Sequence, residues 1–478
     1  MFPTRSICHF KNRVIASLAF LIIGLASLAA FAPQANGQAP PEPRRQQLLN
    51  GLRVLIWTKP GDQNVLLKLR IHSGAAFDLA GKAGGMALLG DILFPDPATR
   101  EYFTEEMEGR LDVSTNHDSI TITMQGRAAE LEQIVEILRT AIVTTQITPE
   151  NAARLREGRI KVIRDTSISS TVLADRAIAS RLFGDFPYGH PSGGSPESLA
   201  RVDWADLILA RDRFLNANNA TLVVIGGVAQ ARTIRALRQL LGAWRKSERI
   251  VPATFRQPEP PDPRPLLVNV PAGESAEIRL ATRGLSRADA DNAAANILAV
   301  VAKKRWERLV PELTKGPVFV RHQAKVLPGM FVFGASVNNS LAVQSIEAAR
   351  NVMQSLVDNP ISVTELDEAK REVLTETTKK LGDSDGIAEG WLDVDTYRLS
   401  TLADQLRALQ GVTANDLQRT AGRLFRGNPA AAVVMGDSET LQPELERAMK
   451  IEIFGEIPEP ASPEAKSPPT PGATARPE

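Results

Sequence analysis

The strongest constraint on the fold of this chain is that it contains itself twice. Residues 199–226 and 409–436 align at one constant offset without a gap. Leu199, Val202, Asp206, Leu207, Arg213, Asn218, Ala220, Val223, Val224 and Gly226 recur as Leu409, Val412, Asp416, Leu417, Arg423, Asn428, Ala430, Val433, Val434 and Gly436. Agreement at so many positions points to a duplicated domain. Each copy reads as a helix carrying Asp and Arg, a turn at Asn, then a short buried strand ending at Gly. At 478 residues the chain has room for two such domains with sizeable cores.

The remaining pattern gives the fold class. Leu67, Leu69 and Ile71 alternate with Lys68, Arg70 and His72, the signature of a strand with one wet face. Ile120, Ile122 and Met124 alternate with threonines in the same way, whereas Leu131, Ile134, Val135, Leu138 and Ile142 keep helical spacing. Residues 277–282 read as a strand, 291–313 as helical, and 318–337 as a hairpin turning at Pro328-Gly329. Strands and long helices alternate without strict βαβ regularity, which predicts an α+β chain of two tandem homologous two-layer α/β domains. The proline-rich stretch 251–265 separates them. The predicted boundaries are a signal at 1–37, a linker at 38–46, domains at 47–250 and 266–455, and a proline-rich tail at 456–478 too poor in apolar residues to order itself.

Composition removes several function classes. The formal net charge of +1 gives no electrostatic footprint for nucleic acid. Arg5, Lys11 and Arg13 precede an apolar run from Val14 to Ala32, with small residues at Ala35-Asn36-Gly37. That order is an export signal leading to a periplasmic or secreted location; left uncleaved, the run is a membrane anchor. The single cysteine, Cys8, lies inside it, so a mature chain has no thiol ligand or disulfide. Ser192 and Ser195 lack the G-x-S-x-G setting of a nucleophile elbow, and no G-x-x-x-x-G-K-[ST] phosphate loop is present.

The order of pieces from 47 to 446 resembles the M16 metallopeptidases, the insulinase and pitrilysin group with mitochondrial processing peptidase and the core subunits of cytochrome bc1. The pieces are Leu49-Asn50-Gly51-Leu52-Arg53-Val54, a strand ending near Ser73-Gly74-Ala75, the helix GGMALLGDILF from Gly84 to Phe94, and Arg110-Leu111-Asp112-Val113-Ser114-Thr115. Leu182-Phe183-Gly184 with Pro187-Tyr188-Gly189 follows, together with the repeat. The resemblance implies a half-shell of two related domains.

It also implies a metal position. Active members carry H-x-x-E-H on the GGMALLGDILF helix, two histidines for zinc and a glutamate to activate water. Here the histidine positions fall on Ala87 and Asp91 and the glutamate position on Gly90. A later pair of glutamates seven residues apart, the second a ligand, maps to Glu157 and Arg164, with Asp165 one residue on. An arginine there repels zinc. His72, His117, His190 and His322 show no ligand spacing; His72 and His117 are expected in strands and His190 in a loop. The family's substrate-contacting arginine and tyrosine map to Arg305 and Phe319, the latter lacking the hydroxyl.

The expectation is a chain with the peptidase scaffold and no bound metal or cofactor of its own, zinc being carried by a partner. That partner would be an M16 paralogue with H-x-x-E-H, and peptides would be the substrates. The alternative is a scaffold protein with no part in proteolysis; a solitary active metallopeptidase would need ligands that the sequence does not supply.

Overall fold

A computed structural model describes residues 40–166, 169–270 and 273–454. The predicted signal at 1–37 and tail at 456–478 lie outside the described residues. The repeat builds two six-stranded mixed sheets. The first contains β1 (Arg44–Gln47), β2 (Arg53–Thr58), β3 (Asn64–Ile71), β4 (Arg110–Thr115), β5 (Ile120–Arg127) and β6 (Ala220–Gly226), in the order β1-β2-β6-β3-β5-β4. The second contains β7 (Leu266–Asn269), β8 (Ser275–Arg283), β9 (Val318–Gln323), β10 (Met330–Asn338), β11 (Ala431–Gly436) and β12 (Glu452–Phe454), in the order β12-β7-β11-β8-β10-β9. The repeated strands β6 and β11 occupy the same place in each sheet, and every residue of both is buried. The repeated Asp206 and Asp416 close capping boxes with Asp203 and Thr413 at the starts of equivalent helices.

Residues 44–46, the end of the expected linker, form β1 together with Gln47 and pair antiparallel with β2. The predicted hairpin is β9 and β10, and 251–265 carries no helix or strand. Six helices carry the motif positions or join the two halves: α1 (Gly85–Ile92), α2 (Pro149–Asp165), α3 (Ser170–Phe183), α4 (Asn292–Leu309), α5 (Val363–Lys380) and α6 (Ser384–Thr396). Among the described residues no helix is long and apolar enough to cross a membrane.

The mixed α/β class is as the pattern predicts, but the wet face of β3 is not wet. Lys68 and Arg70 are buried, because α6 from the second half lies across that face of the first sheet. Asp385, Glu389 and Asp393, four residues apart on one side of α6, meet the two cations. Lys68 Nζ stands 3.2 Å from Asp385 and 2.9 Å from Glu389, and Arg70 stands 2.7 Å from Asp393. The exchange is mutual. Helix α3 of the first half covers the second sheet, with Asp175 2.5 Å from the buried Arg279 and Thr171 donating to Glu277 at 3.1 Å. Each half thus supplies the third layer of the other, and the chain from Pro41 onward forms one compact unit.

Candidate functional site

Helix α1 starts where the chain needs a left-handed residue. Gly84 has φ +93°, and a Cβ there would stand 2.8 Å from the Gly193 carbonyl oxygen. The Asp78 carboxylate accepts the N–H groups of Gly84 and Met86, each at 2.7 Å, and so closes the helix N-terminus. Burial pushes the Asp78 carboxyl up to about 7, against the pull of those donors and of the Arg159 charge. With both oxygens committed to the helix end, Asp78 is a cap. Met86, Leu88, Leu89 and Ile92 fill the core beneath, as the apolar pattern predicts.

The three motif positions have three different fates. Ala87 is buried and presents only a methyl group. Gly90 lies against the sheet: a Cβ there would be 3.1 Å from Thr115 Oγ1 and 3.3 Å from Val113 Cγ1. Asp91 is ion-paired to Arg159 of α2 at 2.5 Å, and Arg159 Nε also donates to the Gly193 carbonyl at 3.1 Å. The family spacing puts the cation at Arg164; the side chain that reaches Asp91 is Arg159. Glu157, Arg164 and Asp165 are exposed on α2. The buried Ala152 and the half-buried Arg156 and Arg159 follow helical spacing, and that stripe is the signal that would have found the facing residue.

The histidines do not converge. His72, just past β3, is held between Thr396 and Thr221 at 3.1 and 2.9 Å, and burial holds it down to about 3. His117, expected in a strand, sits in the turn between β4 and β5. Its ring lies 2.9 Å from the His190 carbonyl and 2.6 Å from Lys325 Nζ. His190 follows a short 3-10 turn as a loop residue, and His322 on β9 accepts the Leu285 N–H at 3.0 Å.

Arg305 and Phe319 are also kept apart. Arg305 on α4 grips Glu365 of α5 through two bonds of 2.9 and 3.0 Å, which holds the Glu365 carboxyl down to about 2. Its neighbours on β9, Val318 and Val320, face the same helical layer, whereas Phe319 points through the other face of the second sheet toward α3. There its ring lies under Arg321 and Arg279, at 4.1 and 5.1 Å. The two residues do not form one substrate contact.

Comparison with known proteins gives the same lineage as the helix. Residues 201–373 match the family model described as the peptidase M16 inactive domain. Over those residues the chain is similar to the inactive domain of M16 peptidases. Over 217 residues it is 22% identical to an uncharacterized zinc protease of Rickettsia felis, a match covering 44% of this chain and 52% of that protein. The chain therefore spans about half the length of the curated relative it matches. The fold resembles the crystal structure of a peptidase M16 inactive domain from Pseudomonas fluorescens, with a TM-score of 0.73 at 18% identity, covering 83% of this chain and 98% of that one. It also resembles the periplasmic protease PqqL of Escherichia coli, with a TM-score of 0.69 at 15% identity, over 87% of this chain and 52% of that one.

In this chain the donors on α1 and α2 do not fit a zinc ion. A catalytic zinc takes three protein ligands and an open position. Ala87 and Gly90 supply none, and the one carboxylate is already neutralised by a guanidinium. Among the described residues no group of three or more His, Cys, Asp or Glu is arranged to hold a metal.

Proposed function

We propose that this chain is an exported, non-catalytic M16 subunit that pairs with a zinc-bearing paralogue carrying H-x-x-E-H and helps hold extended peptide substrates. The observation that carries the reading is the Arg159 guanidinium seated on Asp91 beside Ala87 and Gly90. A cation and two side chains without donors stand where a hydrolytic ion would need three ligands, so cleavage would depend on another polypeptide. What remains next to α1 suits binding. Strand β4 is a sheet edge that pairs only with β5 among the described residues, and an extended peptide can add its backbone to such an edge. Export to a periplasm is supported by the charged and apolar order of the N-terminal residues and by the likeness to a protease whose name calls it periplasmic.

Affinity purification from a native extract tests the pairing, followed by peptide cleavage assays of the partner with and without this chain. Recovery of a catalytic paralogue, and a lower KM for peptide when this chain is added, are expected. Stoichiometric zinc and chelator-sensitive cleavage by this chain alone would overturn the reading. A second reading, a scaffold with no part in proteolysis, is favoured by one observation: Arg305 is spent on Glu365 and does not join Phe319. Under that reading, adding this chain alters neither the cleavage rate nor the KM.

A further inference from the structure

The two halves differ where they should match. Aligning the caps of the exchanged helices, Ser169 of α3 with Asp383 of α6, pairs Ala174 with Ala388 and Ile178 with Leu392, all fully buried. It also pairs Asp175 with Glu389, which hold the equivalent cations Arg279 and Lys68 of β8 and β3. In the same frame Ala177 stands where α6 has Trp391. On the sheets, Trp57 of β2 pairs with Ile225 of β6, and Val268 of β7 pairs with Met435 of β11, the repeat equivalent of Ile225. Val268 therefore stands where β2 has Trp57.

In the first half these two tryptophans meet edge to face at 6.3 Å, and Trp391 Nε1 donates to the Pro41 carbonyl at 3.2 Å. That side of the sheet is filled. In the second half their places are taken by a valine and an alanine, which border a cleft of about 1170 Å³ that also runs along residues 75–81, 183–187 and 255–262. Ala177 and Val268 both line it, with Leu173, Phe255, Met435 and Phe454. Ligand pockets typically measure roughly 300–1,000 Å³, so the space is ample for aromatic groups. Strand β12 forms its rim. It pairs only with β7 among the described residues, none of which covers its other backbone edge, and Phe454 is more than half exposed at the mouth. Residues 455–478, which come after β12, contain no Phe, Tyr or Trp and cannot supply the ring.

We infer that this cleft is a binding site for an extended peptide of another protein, its backbone adding to the edge of β12 away from β7 and an aromatic side chain entering between Ala177 and Val268. The first half shows what fits, because the same scaffold is filled there by two indoles. Main-chain bonds at a strand edge and a pocket for an alternate side chain are the two parts of strand-addition recognition. The site requires only this chain and is independent of any catalytic partner.

Calorimetric titration of the full chain tests this. The probe is a capped pentapeptide with lysine ends, valine at its second and fourth positions and tryptophan at its centre. It is compared with the same peptide carrying a central alanine and with N-acetyltryptophanamide. The tryptophan peptide is expected to bind at least about tenfold more tightly than either comparison. Ala177→Trp, which installs the ring used by the first half, should abolish binding without lowering the thermal midpoint. If that variant does not fold, Val268→Phe carries the same expectation. Absence of binding, equal binding of the alanine peptide, or unchanged binding by the filled variant would overturn the site. N-acetyltryptophanamide binding as tightly as the peptide would overturn the strand-edge assignment and give the cleft to a small aromatic ligand.

Discussion

Rebuilding the zinc motif separates missing ligands from an obstructing cation. The perturbation is the triple substitution Ala87→His, Gly90→Glu and Asp91→His, with and without Arg159→Glu. Arg159 Nη1 now lies 2.5 Å from the Asp91 carboxylate. A divalent ion held through position 91 would stand roughly 4–5 Å from that guanidinium, and at an effective dielectric of about 40, suited to a partly exposed site, the repulsion is roughly 4 kcal/mol. That is a loss of about a thousandfold in affinity. The glutamate adds a second obstacle, because a Cβ at position 90 meets Thr115 Oγ1 at 3.1 Å. Overpacking of that kind costs about 1–3 kcal/mol. Competition against a chromophoric zinc chelator measures the outcome, with circular dichroism confirming the fold. The triple variant should hold zinc at least about a thousandfold more weakly than the quadruple variant. Equal affinity of the two would refute the assignment of Arg159 as the residue that excludes the ion.

Three further outcomes concern charged groups between packed elements. Arg70→Met leaves Asp393 without its cation and Glu389 with Lys68 alone, and should cost about 2–3 kcal/mol in urea unfolding, whereas adding Asp393→Asn should recover much of the loss. His72 is held down to about 3, so the folded state refuses a proton that the unfolded chain accepts below about 6.5. Its contribution is complete above that pH and is lost as pH falls toward 3, on the order of 2 kcal/mol by pH 5; His72→Gln should flatten that limb in urea titrations at pH 7.5 and 5. Glu365 is held down to about 2 by its bonds to Arg305, a contribution present above the ordinary carboxylate range and lost as pH falls toward 2. Arg305→Met should therefore lower stability at pH 7 by about 1 kcal/mol and remove that acid limb.

The fold was legible wherever one element carried its own pattern. The repeat marked β6 and β11, alternation marked β3 and β5, and Pro328-Gly329 marked the turn of the β9–β10 hairpin. What single elements could not reveal is which surfaces meet. Lys68, Arg70 and His72 read as solvated because polar residues on alternate positions usually are, and no sequence pattern links them to Asp385, Glu389 and Asp393 about 320 residues away. Only their juxtaposition shows two buried cations met by a half-exposed row of acids. The site was legible on α1, where flanking residues fix the register, and not on α2, where the family spacing leads to Arg164. The step of five positions from Arg159 to Arg164 is about 1.4 turns, enough to carry a side chain from the facing side to solvent.

The positions that would carry chemistry in an active relative have each been converted into a packing solution. Ala87 is sealed in the core, Gly90 lets the helix lie close to Thr115 and Val113, and Asp91 joins α1 to α2 through Arg159. Such a site gains stability from the features that deny it a metal, so no single reversion would return the ion. The exchanged helices point the same way. Each half is covered on one sheet face by a helix of the other, and among the described residues β4 and β12 remain edge strands, the latter beside the cleft at Ala177. Motif positions closed by packing, next to open strand edges, are the features on which the proposed holding of an extended chain rests.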